Sequence, residues 1–110
     1  MEVNLTKDAE KLLCAMYKDY LEKRKSGSSK SHANYWGTSH VIHENLLPKW
    51  SFEDVDDICR ELSRAEMIKC GWGDNIALYI SISDLGIIYM ENRFKNGLKD
   101  VASFLGNFIP

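Results

Sequence analysis

Apolar residues at Ala9, Leu12, Leu13, Met16, Tyr17, Tyr20 and Leu21 recur every three or four positions, which lays a single stripe along a helix. Thr6 can cap its start with Asp8 in the first turn, and the basic run Lys23-Arg24-Lys25 suits its negative end before Gly27. The stretch Ser26-Gly27-Ser28-Ser29-Lys30-Ser31 is a solvated loop by composition. A shorter second helix is predicted from Thr38 or Ser39, carrying Val41, Ile42, Leu46 and Leu47, and closed by Pro48. Ser51 opens a third helix in a capping-box-like arrangement with Asp54, and Val55, Ile58, Cys59 and Leu62 form its buried stripe. About three residues, Pro48 to Trp50, separate the second and third helices, the short link of a helix-turn-helix.

After Glu66 the period changes from helical to alternating. Ile68, Cys70 and Trp72 fall on one face of a strand, and Ile76, Leu78, Ile80 and Ile82 on one face of the next. Gly73-Asp74-Asn75 between them has the chemistry of a hairpin turn. Ser83 then caps a fourth helix with Leu85, Ile88, Tyr89 and Met90, which Asn96-Gly97 breaks or kinks. A last apolar stripe follows at Leu98, Val101, Ala102, Leu105, Phe108 and Ile109. The order implies an α+β class: three N-terminal helices, a β-hairpin and one or two C-terminal helices. At 110 residues it reads as one domain, with 95–110 a C-terminal helical extension.

Two segments carry a family resemblance. Val55-Asp56-Asp57-Ile58-Cys59-Arg60-Glu61-Leu62 followed by Ala65-Glu66-Met67-Ile68 resembles the third helix of a winged helix-turn-helix and its first wing strand. Ile82-Ser83-Asp84-Leu85-Gly86 resembles the "Leu-Thr-x-x-Gly" element that ends the wing. From Val41 to Phe94 the chain is similar to small bacterial regulators of the MarR and PadR types. The resemblance implies a homodimeric DNA-binding transcriptional regulator. Under it Lys49, Arg60, Arg64 and the run Lys23, Arg24 and Lys25 would contact the backbone, and Ser51 and Glu53 would sit nearest the bases.

Charge pulls against that implication. Fourteen Lys and Arg stand against sixteen Asp and Glu, a net −2, whereas phosphate-binding domains carry a basic excess or a basic face. Segment 52–64 holds five acids (Glu53, Asp54, Asp56, Asp57, Glu61) and two bases (Arg60, Arg64), and the hairpin tip adds Asp74. With Val55, Ile58, Cys59 and Leu62 inward, Glu53, Asp57, Arg60, Glu61 and Arg64 face out. A second function class therefore stands beside the first: a protein-interaction module whose acidic third helix meets a basic partner and does not bind DNA.

Other chemistry is sparse. No paired-carboxylate, Ser-His-Asp or glycine-rich phosphate motif occurs, and the chain reads as a non-enzyme without a cofactor. His40 and His43 could point the same way, but no Cys-x-x-Cys spacing completes a zinc site. Cys14 and Cys59 fall on apolar stripes as small core hydrophobes, and three widely spaced thiols suit a reducing cytoplasm. No apolar run approaches a membrane span and no secretory signal opens the chain. The terminal stripe has two readings. It packs on the first helix, or Leu98, Val101, Leu105, Phe108 and Ile109 join two copies in a symmetric dimer.

Overall fold

The computed structural model describes residues 4–106, and its first helix, α1 (Lys7–Lys25), is the spine on which four of the later helices pack. Thr6 Oγ1 accepts from the Ala9 amide at 3.2 Å, satisfying one of the donors that a helix start leaves open. Leu12, Leu13, Cys14 and Met16 are completely buried along its length. At its far end Gly27 takes φ +99°, while the Gly27 amide bonds Arg24 O and the Ser28 amide bonds Lys23 O. That pair of bonds is a Schellman stop, which calls for a left-handed residue where glycine costs least.

The expected loop over 26–31 turns out to be only partly a loop. Ser29 caps a single helical turn, α2 (Lys30–Ala33), seated by the buried Ala33. A three-residue strand, β1 (Tyr35–Gly37), follows, too short to leave a periodic trace. Next come α3 (Ser39–Asn45) and α4 (Phe52–Arg64). The link between them is longer than expected because α3 ends at Asn45. Proline disfavours helical backbone in the residue before it, so the chain leaves the helix early and drops Leu47 into the core. Ser51 Oγ accepts from the Asp54 amide at 3.1 Å, the expected cap of α4.

Strands β2 (Ile68–Gly73) and β3 (Ile76–Ile82) form the expected antiparallel hairpin, and β1 pairs with the other edge of β3. Asp74 (φ 51°) and Asn75 (φ 65°) are both left-handed, as a two-residue turn matching strand twist requires. The expected facing of β3 holds only for its second half. Lys69 pairs with Ser81 and Gly71 with Leu78, so β3 carries one extra residue, and Tyr79 sits there at φ 53°. Such a bulge exchanges the two faces. Ile80 and Ile82 are buried, but before the bulge Ala77 points inward, and Ile76 and Leu78 are only half-buried.

Helix α5 (Asp84–Arg93) begins where Ser83 Oγ accepts from the Gly86 amide at 2.9 Å and donates to Glu66 O at 2.7 Å. A Cβ on Gly86 would lie 2.2 Å from the Met67 carbonyl oxygen, so the seat of α5 against the α4–β2 junction needs a glycine. Gly97 (φ 62°) breaks the chain before α6 (Leu98–Gly106), which folds back onto α1. Val101 and Leu105 are buried within this same chain, the internal packing of the terminal stripe, and Leu98 is half-buried. Val101 and Leu105 are thus taken up by packing within the chain, α6 lying against α1. Phe108 and Ile109 lie outside the described residues. Among the described residues no helix is long and apolar enough to cross a membrane.

Candidate interaction surface

Helix α4 presents Glu53, Asp54, Asp57 and Arg64 to solvent. One of the five acids counted in segment 52–64 lies apart from them. Asp56 is 6% exposed, and its carboxylate is the junction of three elements. Oδ1 accepts from Ser39 Oγ at 2.8 Å on α3 and from the Ala77 amide at 3.0 Å on β3, while Oδ2 takes Arg60 Nη2 at 3.2 Å. A buried carboxylate persists when donors replace the water it has lost, and here three do so. The sequence signals were the i, i+4 spacing of Asp56 and Arg60 and the position of Asp56 at the stripe's edge, beside Val55 and three residues before Cys59.

Arg60 is committed in the same way. Beyond Asp56, its Nη2 donates to Asn75 O at 2.7 Å, and its guanidinium lies 4.4 Å from the Trp72 ring centre. It therefore clips the hairpin tip to α4 and is not a side chain reaching for phosphate. Trp72 remains 45% exposed over it, and Tyr79, at the bulge, is 70% exposed. Tyr79 falls opposite the expected Ile76, Leu78, Ile80 and Ile82 face and stays on the exposed side of β3. Glu61 is also engaged: Oε1 and Oε2 accept from the hydroxyl and amide of Thr6 at 2.8 and 2.9 Å, fastening α4 to the start of α1.

The remaining expected contacts are dispersed. Lys23 pairs with Asp19 at 2.9 Å and lies 4.8 Å from the centre of Trp36, whose indole N–H donates to the same Asp19 at 2.8 Å. Arg24 Nη1 donates to Ser28 O, and Lys25 is exposed. This basic end of α1 lies about 26 Å along the helix axis from Thr6, at 1.5 Å per residue. Arg60 and Arg64 belong to the half of α4 fastened at Thr6, so the two basic groups do not merge. Lys49 is exposed in the link, and Ser51 is occupied as a cap. His40 stacks on Phe52 at 4.0 Å, and His43 Nε2 donates to Trp50 O at 2.7 Å, so both imidazoles brace the link before α4.

Among the described residues no group of three or more His, Cys, Asp or Glu is placed to hold a metal. The three cysteines are free thiols. Burial pushes Cys14 and Cys59 up to about 12, and Cys70 is raised by the same cause, so all three are held as thiols rather than nucleophilic thiolates near neutrality. The outward face of α4 is thus acidic over its first two turns, with two exposed aromatics on the adjoining hairpin. Comparison with protein families, with curated proteins and with solved structures finds no match to this chain.

Proposed function

We propose that the chain is a winged-helix module that binds a protein, using the acidic start of α4 and the aromatic hairpin, rather than a DNA-binding regulator. The winged-helix part is supported by element order: α3, a short link and α4, then an antiparallel hairpin tied back to the helices by β1. Fold alone leaves function open, because one scaffold serves many partners. The observation that carries the choice of partner is the state of α4. Its exposed N-terminal residues Glu53, Asp54 and Asp57 would repel phosphates, and the arginine best placed to offset them is locked to Asp56 and Asn75. A partner with basic and apolar side chains complements the same surface, with Trp72 as an anchor of the type that dominates protein interfaces.

The test is a photo-crosslinker placed at Glu53, with adducts sorted by chemistry. Protein adducts lost on D54K/D57K substitution are expected. In parallel, mixed-sequence duplex DNA is titrated at low and high salt, and no retention is expected even at low salt. Nucleic-acid adducts, or low-salt DNA binding abolished by K49E/R64E, would overturn the proposal in favour of the DNA-binding reading. Arg60 is left untouched, because its loss would release the hairpin and blur either outcome.

A further inference from the structure

A second feature lies away from α4, where the start of α1 meets the end of α5 and the outer side of α6. There a cavity of about 360 Å³ is lined by Leu5, Lys7, Glu10, Lys11, Arg93 and Phe104. We infer that it is a binding site for a small organic carboxylate with an aliphatic body. The volume is in the range of small-molecule sites, which are characteristically apolar with a few convergent polar groups.

The charges are arranged for an anion. Among the described residues Glu10 is the only acid in the lining, and it is paired from behind. Tyr89 Oη donates to its Oε2 at 2.9 Å, and Arg93 Nε stands 2.8 Å from its Oε1. That second contact is held by charge rather than by an aligned hydrogen bond, and the oxygen is sealed from solvent. Glu10 therefore presents little accessible negative charge to the cavity. Arg93 is fixed through Nε and lies against two rings, 5.3 Å from the centre of Phe94 and 5.0 Å from that of Phe104. Its side chain is still 42% exposed, and its terminal nitrogens make no hydrogen bond with the described residues. A guanidinium held by charge on its Nε side, with donors left on its terminal nitrogens, can meet a carboxylate bidentately. Lys7 adds positive charge at the rim, whereas Lys11 is paired with Asp8 at 4.0 Å, and Leu5 and Phe104 supply apolar lining. The cation–π contacts hold the guanidinium plane, so little side-chain freedom is left to lose on binding.

The test uses hexanoate as the probe, with 1-hexanol and sodium chloride at matched ionic strength as controls. Binding is followed by amide chemical shifts of the ¹⁵N-labelled full chain. Hexanoate is expected to move the resonances of Leu5, Lys7, Arg93 and Phe104, with hexanol and chloride doing so little. R93Q, which keeps a polar stem of similar length, is expected to weaken hexanoate binding by about tenfold or more. K7E, on the rim, tests the same charge requirement should R93Q fail to fold. Silent resonances up to about 20 mM hexanoate, equal response to hexanol, or unchanged affinity in K7E would overturn the assignment. The site shares no residue with the α4 surface, so either proposal can fail without the other.

Discussion

Asp56 is the residue whose removal should be felt most widely, since one carboxylate joins α3, α4 and β3. Asp56→Ala strands two donors that are themselves buried, the Ser39 hydroxyl and the Ala77 amide, both at zero exposure. An unsatisfied buried donor costs about 1–3 kcal/mol, so the pair sets a range of roughly 2–6 kcal/mol. One term reduces it and one adds to it. Alanine improves helix propensity by about 0.5 kcal/mol. Arg60 is half-exposed and can turn to solvent, so losing its pair with Asp56 adds less than about 1 kcal/mol. The net expectation is about 2–6 kcal/mol, a large share of the 5–15 kcal/mol typical of a domain. Asp56→Asn should cost only about 1 kcal/mol, because its carbonyl oxygen can still serve both Ser39 and Ala77 while its amide opposes Arg60. Ser39→Ala alone should cost about 1 kcal/mol and less in the Asp56→Ala background, since the stranded hydroxyl is then gone. Urea unfolding followed by tryptophan fluorescence and by circular dichroism measures all four corners of this cycle. An Asp56→Ala cost below about 1 kcal/mol, or additive effects of the two substitutions, would refute the network.

Four further outcomes follow from the same coordinates. Glu66 sits at φ 63° in the Schellman stop of α4, with Met67 N bonded to Leu62 O and Glu66 N to Ser63 O; Glu66→Gly should stabilise by about 0.5–1 kcal/mol in urea, and any loss would contradict that geometry. Gly86→Ala drives a methyl into the Met67 carbonyl oxygen and should cost about 3 kcal/mol or more, read as a lowered thermal midpoint; wild-type stability would mean that α5 is not seated there. Iodoacetamide at pH 8 should label the half-buried Cys70 first and leave Cys14 and Cys59 protected until urea unfolds the chain; early modification of either buried thiol would contradict their burial. Alkaline stability has a fixed sign: Cys14 and Cys59 are raised from 9.0, and Tyr89 from 10.0, each to about 12 by burial, with Glu10 adding to the rise at Tyr89. The folded state then keeps protons that the unfolded chain loses, so the stability these groups give is intact below about pH 9 and is lost as pH climbs toward about 12. Urea midpoints that stay level from pH 8 to 11 would exclude this linkage.

Long amphipathic segments were legible in the sequence because their packing repeats. The stripes of α1 and α4 and the caps Thr6, Ser51 and Ser83 each follow from local chemistry that the fold does not override. What escaped depends on single, non-repeating events. The strand β1 is three residues long and exists because the edge of β3 is there to pair with it. The facing of β3 changes at one residue, Tyr79, and a periodic reading has no means of sensing an inserted step. What the bulge changes is the first half of β3, where Ala77 points inward and Ile76 and Leu78 are only half-buried. Asp56 and Arg60 extend the point. Counted by composition, they are one acid and one base on an exposed helix. In the fold they neutralise each other inside the clip that holds the hairpin to α4. Subtracting that internal pair leaves the outward charge balance of segment 52–64 unchanged, but it removes the base nearest Glu53 and Asp57. The electrostatic argument against phosphate contact is therefore stronger at the start of α4 than the formal count implied, because charges act from where they stand and not from the total to which they contribute.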